Sequence, residues 1–258
     1  MLSSLKDLWA RRELVAALAG RDMRTRYKGS ALGLAWSLMH PIVLALVYTL
    51  AFRYIARIPI PNYGLFLLSG LLPWLFFAQS LGLASGSITD QAQLVKKLVF
   101  PREVLPLGAV GAQFVHFTVA YLIVIPAFAA YQVGLSPAMA VLPVLMLLLL
   151  VFTCGLALIT SAAQVYLRDT RHLVDVLLQI WFWLTPVVYS LDLVPERLRP
   201  LFLANPIAPF IGAFRNVVMD QRLPGLATSA ALAAAAIITF LAGYAIFLRS
   251  ARRFAEFV

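Results

Sequence analysis

Six mostly apolar stretches, each roughly 20 residues or longer, follow one another along this chain, with short polar breaks between them except for a longer, proline-punctuated segment before the last. They occupy 31–55, 63–87, 104–131, 138–166, 173–191 and 226–248. A helix needs ~20 apolar residues to cross the ~30 Å hydrocarbon core, so each stretch is long enough to span a bilayer. The expected fold is therefore an all-α membrane protein of six transmembrane helices. With 258 residues, 62% hydrophobic and 12% charged, the chain has no room for a sizeable soluble domain. The expectation is a single domain over 1–258: a cytoplasmic interface helix at 1–28, the six-span domain at 31–249 and a cytoplasmic tail at 250–258.

The net charge of +10 raises the question of nucleic acid, but Lys and Arg form no single patch or aromatic-interleaved stripe. They sit in clusters between apolar segments, as positive residues do on the cytoplasmic side of membranes. With both termini inside, fifteen Lys and Arg fall on the inner side and six on the outer. Arg53 and Arg57, two of the six, end the first span, where long side chains can snorkel to headgroups. No partner role for nucleic acid is expected.

At the N-terminus, Leu5, Leu8 and Trp9, then Val15 and Leu18, share one helical face, with Lys6, Asp7, Arg11, Arg12 and Glu13 largely on the others. This reads as an amphipathic helix along the inner interface, beside the basic block Arg21, Arg24, Arg26 and Lys28. Between spans two and three, TDQAQLVKKLVFPRE is too polar for hydrocarbon and reads as an inner loop with a short amphipathic helix. Between spans five and six, Pro195, Pro200, Pro206, Pro209 and Pro224 punctuate two apolar pieces, each too short to cross. Re-entrant helices in the outer leaflet fit this pattern, and so does a loop lying on the headgroups.

Little in the chain points to catalysis. Cys154, the single cysteine, lies inside an apolar run with no partner for a disulfide or a metal cluster, and no metal site is expected. His40 and His116 are isolated in apolar surroundings and receive no chemistry. Asp169 is expected to pair locally with Arg168 or Arg171. No pair of catalytic carboxylates is visible, so the chain is not expected to be an enzyme. The phosphate-binding pattern GxxxxGK[ST] is absent, and no Gly-Lys dipeptide occurs anywhere.

An ordered series of motifs carries a resemblance. It runs through RDMRTRYKGSALGLAWSLMHPIVLALVYTLAF (21–52), LLSGLLPWLFFAQSLGLASGSI (67–88), LVKKLVFPREVLPL (94–107), YLRDTRHLVDVLLQIWFWLTPVVYS (166–190) and NPIAPFIGAFRNV (205–217). The chain resembles the membrane subunits of type-2 ABC exporters for surface polysaccharides, including O-antigen and teichoic-acid transporters. The resemblance covers nearly the whole chain. It implies a multi-pass permease of the bacterial cytoplasmic membrane. Two copies would enclose a channel, with two copies of a separate ATPase that carries the ATP and Mg, so that this chain needs no cofactor of its own. The cargo implied is a lipid-linked glycan; a permease for drugs or other small molecules is the alternative.

On that resemblance, Lys96, Lys97, Arg102 and Glu103 are candidates for coupling to the ATPase, against the plainer role of a solvated inner loop. Trp74, Phe114, Phe117, Tyr121, Trp181 and Trp183 are candidates for a sugar path, because flat apolar ring faces accept the C–H faces of pyranoses. Interfacial anchoring is the plainer role for such rings. Phe114, Phe117 and Tyr121 share one face of the third span. Arg24, Arg26 and Lys28 suit a lipid pyrophosphate through charge-assisted and, for the arginines, bidentate bonding, or else general headgroup attraction. Asn205, Phe210, Phe214 and Arg215 are candidates for an outer gate.

Overall fold

The computed structural model describes residues 35–97, 100–131, 136–251 and 253–257. The expected interface helix at 1–28, the start of the first span and the basic residues Arg24, Arg26 and Lys28 lie outside the described residues. Among the described residues the chain is helical, with no strand. In a bilayer this is what satisfies every backbone N–H and C=O within its own segment.

Helix α1 (Ala35–Tyr48) continues into a π-helical stretch, Thr49–Ile55. A turn follows in which Arg57 and Asn62 adopt left-handed backbone (φ 55° and 51°). The Asn62 carbonyl then accepts from the amides of Leu65 and Phe66 and opens α2 (Tyr63–Gly86). Helix α2 is apolar on all sides, the mark of a helix surrounded by protein. It packs against α1 and against four later helices: α4 (Val104–Tyr131), α5 (Leu142–Tyr166), α6 (Thr170–Trp183) and α8 (Ala208–Val218). Short helix α3 (Ala92–Lys97) lies in the loop after α2, and α7 (Arg199–Leu203) precedes α8. The chain closes with α9 (Leu226–Ala251) and the short turn α10 (Phe254–Phe257).

Four helical segments are long and apolar enough to cross a membrane: Tyr63–Gly86, Val104–Ala130, Pro137–Tyr166 and Leu226–Ala251. They match the second, third, fourth and sixth expected spans. The fifth differs from expectation. Instead of a helix through 173–191, α6 has 14 residues, a rise of about 21 Å against a hydrocarbon core of about 30 Å, and the chain from 184 to 190 is non-helical. Pro186 favours the break locally. It has no N–H to give, its ring would clash with the carbonyl four residues back, and it biases Thr185 away from helix.

Helices α5 and α9 form the tightest pair. A Cβ added at Gly243 would stand 2.1 Å from the Gly155 carbonyl oxygen, and one at Gly155 would stand 2.5 Å from the Thr239 carbonyl. Backbone meets backbone here, the packing that small residues permit between helices in lipid. The main core surrounds α2, and a second cluster joins Ile88, Val95, Leu105, Leu158, Val165, Phe247 and Phe254 at the end of the bundle that carries α3.

Candidate functional site

The broken end of α6 is held by three polar side chains from distant parts of the sequence. Asn205 accepts from the Trp181 indole N–H (2.6 Å) and donates from its amide to the Leu184 carbonyl (3.0 Å) and the Thr185 hydroxyl (2.7 Å). Its Oδ1 also accepts from the Ile207 amide at 3.1 Å. Arg215 donates to the carbonyls of Pro186 and Val187, each at 3.0 Å, and its guanidinium lies 3.7 Å from the centre of the Phe66 ring. The Tyr63 hydroxyl donates to the Val188 carbonyl at 2.7 Å. Non-helical backbone exposes carbonyls that would cost several kcal/mol each, about the figure for polar groups without a partner in an apolar medium, and here they are met.

Gly70 makes room for this arrangement. A Cβ there would sit 2.9 Å from Arg215 Nη2 and 3.4 Å from the Val187 carbonyl. The other two gate candidates, Phe210 and Phe214, are fully buried on α8, against Phe152 in one case and Phe117 and Tyr121 in the other. Asn205 and Arg215 therefore tie the non-helical stretch to α8, while Phe210 and Phe214 fix α8 to α4 and α5.

An aromatic groove opens beside this break, between α1, α2 and α6. Its volume is about 360 Å³, and Tyr48, Trp74, Gln179, Phe182 and Trp183 are among its lining residues. Tyr48 stacks on Phe182 at 5.9 Å, Phe182 meets Trp74 at 5.6 Å and Trp183 at 5.4 Å, so the rings form a continuous wall. Trp74 is buried at the back while Trp183 stays 53% exposed at the mouth. Tyr48 and Phe182 are apolar rings of the same kind as the sequence candidates, Gln179 carries no signal of its own, and only the fold brings the three together beside Trp183.

The remaining channel candidates have different surroundings. Phe114, Phe117 and Tyr121 do share one face of α4, but Phe117 and Tyr121 are 4% and 1% exposed. Phe76 stacks on Phe117 at 4.9 Å, and Phe214 lies 5.5 Å from Tyr121. Trp181 packs edge-on to Phe77 and is otherwise committed to Asn205. Phe114 borders a second, more apolar groove between α4 and α5.

At the opposite end, Lys96 and Lys97 are exposed on α3, while Glu103 is buried. Arg102 donates through Nη1 to the Ala251 carbonyl at the end of α9 and approaches the Phe254 ring. The loop between α5 and α6 closes differently from the expected Asp169 pairing. Arg171 forms its ion pair with Asp90 at 3.5 Å, and its backbone N–H donates to Gln164 Oε1 at 2.7 Å. Asp169 lies within the tight turn that starts α6, whereas the end of α2 brings Asp90 within reach of Arg171. Among the described residues, no three His, Cys, Asp or Glu side chains come together as metal ligands would.

Four long apolar helices, an aromatic groove and a polar-clasped helix break are the architecture of a multi-helix membrane protein. The chain belongs to the ABC-2 type transporter family, whose model matches residues 13–219. It is 34% identical over 258 residues to the O-antigen export system permease protein RfbA of Myxococcus xanthus, covering 99% of each chain. It is 33% identical over 247 residues to the protein of the same name from Klebsiella pneumoniae, covering 95% of this chain and 94% of that one. The polysialic acid transport protein KpsM of Escherichia coli is 23% identical over 236 residues, with 90% of this chain and 92% of the relative covered.

Proposed function

We propose that this chain is the membrane subunit of an ATP-driven exporter that moves a lipid-linked surface polysaccharide across the bacterial cytoplasmic membrane. The observation that carries the reading is the aromatic groove of Tyr48, Trp74, Phe182 and Trp183, open along one side of the protomer. Rings of this kind let a sugar chain slide, since they offer apolar faces without a deep, sticky site. The full-length likeness to O-antigen export permeases supports a glycan cargo over a small molecule.

In this reading six helices cross the membrane, with α1 and the shortened α6 among them, and both termini are cytoplasmic. A second copy closes the groove into a channel. Exposed Leu173, Val176, Leu177 and Ile180 on α6, with Leu46, Val47 and Leu50 on α1 and its extension, supply the apolar border for that contact. The segment from Asn205 to Arg215 forms the outer gate, and Arg24, Arg26 and Lys28 receive the lipid pyrophosphate. Two copies of a separate ATPase, carrying ATP and Mg, dock at the loop that bears Lys96, Lys97, Arg102 and Glu103.

The test is deletion of this subunit in its native host, followed by lipid extraction and sugar analysis. Lipid-linked polymer accumulating inside, together with loss of surface glycan, is the expected result. Unchanged surface glycan would overturn the polysaccharide reading and leave the small-molecule exporter.

A further inference from the structure

The short turn α10, Phe254–Phe257, folds back onto the loop that carries α3. Phe254 is fully buried, 5.3 Å from the Phe247 ring and 6.2 Å from the Tyr166 ring. It shares one apolar cluster with Val95, the buried residue of α3, and with Leu105 at the start of α4. Two polar contacts reinforce the fold-back. Arg102 donates to the Ala251 carbonyl, one of the orphan acceptors at the end of α9, and the Tyr166 hydroxyl donates to the neighbouring Ser250 carbonyl at 2.9 Å.

Helix α3 has six residues, too few to hold its own conformation or position in water. Its exposed residues Lys96 and Lys97 face away from the protein, and Val95 is its buried anchor. What Val95 anchors into is a cluster whose outer plug is Phe254. We infer that the C-terminal turn is a latch that sets the pose of the α3 loop, with Phe254 as its positioning residue, and thereby governs how that loop engages the ATPase. This rests on the proposed coupling role of Lys96, Lys97, Arg102 and Glu103.

The latch has a readout that does not pass through transport. With Cys154→Ser removing the native thiol, a spin label at Gln93→Cys, an exposed position on α3, reports the loop's mobility in the full-length protein in nanodiscs. Phe254→Ala should make that label distinctly more mobile and reduce capture of the ATPase subunit about tenfold, the scale of losing one interface anchor. Phe254→Leu, which still fills the cluster, should restore both. If Phe254→Ala yields no protein, Val95→Ala trims the same cluster from the α3 side and should free the label in the same way.

An immobile label and full ATPase capture in Phe254→Ala would overturn the latch. Lys96→Glu with Lys97→Glu separates this from the underlying reading. If that pair abolishes capture while Phe254→Ala leaves the label unmoved, the loop couples and the latch fails. If the charge reversals leave capture and export intact, the coupling role itself fails, while the label still decides whether Phe254 positions the loop.

Discussion

Asn205 and Arg215 each do the work of several backbone partners, and their removal has a calculable consequence. Asn205→Ala strands the Trp181 indole N–H, the Ile207 amide and the Leu184 carbonyl, while the Thr185 hydroxyl keeps its bond to the Trp181 carbonyl. Each buried polar group left without a partner costs about 1–3 kcal/mol, so a clear drop in melting temperature of the purified protein is expected. Arg215→Lys should also destabilise, because a single ammonium cannot reproduce the planar fork that reaches two carbonyls while stacking on Phe66. Its cost should approach the ~1.5–3 kcal/mol of one hydrogen bond to a charged group, read in the same melting experiment. Trp183 belongs to the opposite category. Half-exposed at the groove mouth, it can be changed to Ala with little loss of stability, and export should fall while Trp183→Phe preserves it; pulse-labelling of surface glycan measures both.

Among the helices, the long ones were legible from hydropathy, and the break in α6 was not. Pro41, Pro73 and Pro126 all lie inside helices here, so a proline in an apolar run does not by itself mark an end. What distinguishes Pro186 is that the carbonyls around it have partners on Tyr63, Asn205 and Arg215, residues far away in the chain. No local window contains that information. The same limit applies to the face shared by Phe114, Phe117 and Tyr121. Helical spacing shows that they lie together, but what they meet depends on Phe76 and Phe214, which belong to other helices. Asn205 and Arg215 could be picked out as functional candidates, yet their bonding partners could not be named before the fold was known. At this scale the sharpest prediction concerns the α5–α9 seam. Gly243→Val puts side-chain atoms where the Gly155 carbonyl already stands, and the folded, monodisperse yield on size exclusion should collapse; Leu241→Val, an exposed apolar exchange on the same helix, should be tolerated.

For the molecule as a whole, the exposed face of α6 bears on assembly. In a Cys154→Ser background, Leu177→Cys or Ile180→Cys should crosslink to its twin under mild oxidation in membranes, because a second copy would bring those positions together across the closed groove. A cysteine at Ile238, exposed on α9, serves as the comparison and should stay uncrosslinked. The α5–α9 seam then has a mechanical meaning. Where Gly155 meets Thr239 and Gly243, main chain presses on main chain with no side chain between them, which leaves the two helices little freedom to slide there, and the α3 loop and the C-terminal turn are fastened to the end of the pair. On the proposed coupling role, a push from the ATPase at that end would reach the two helices together rather than one of them. On the proposed role, such a push would change the groove only where α1 and α6 border it, with the α5–α9 contact unmoved.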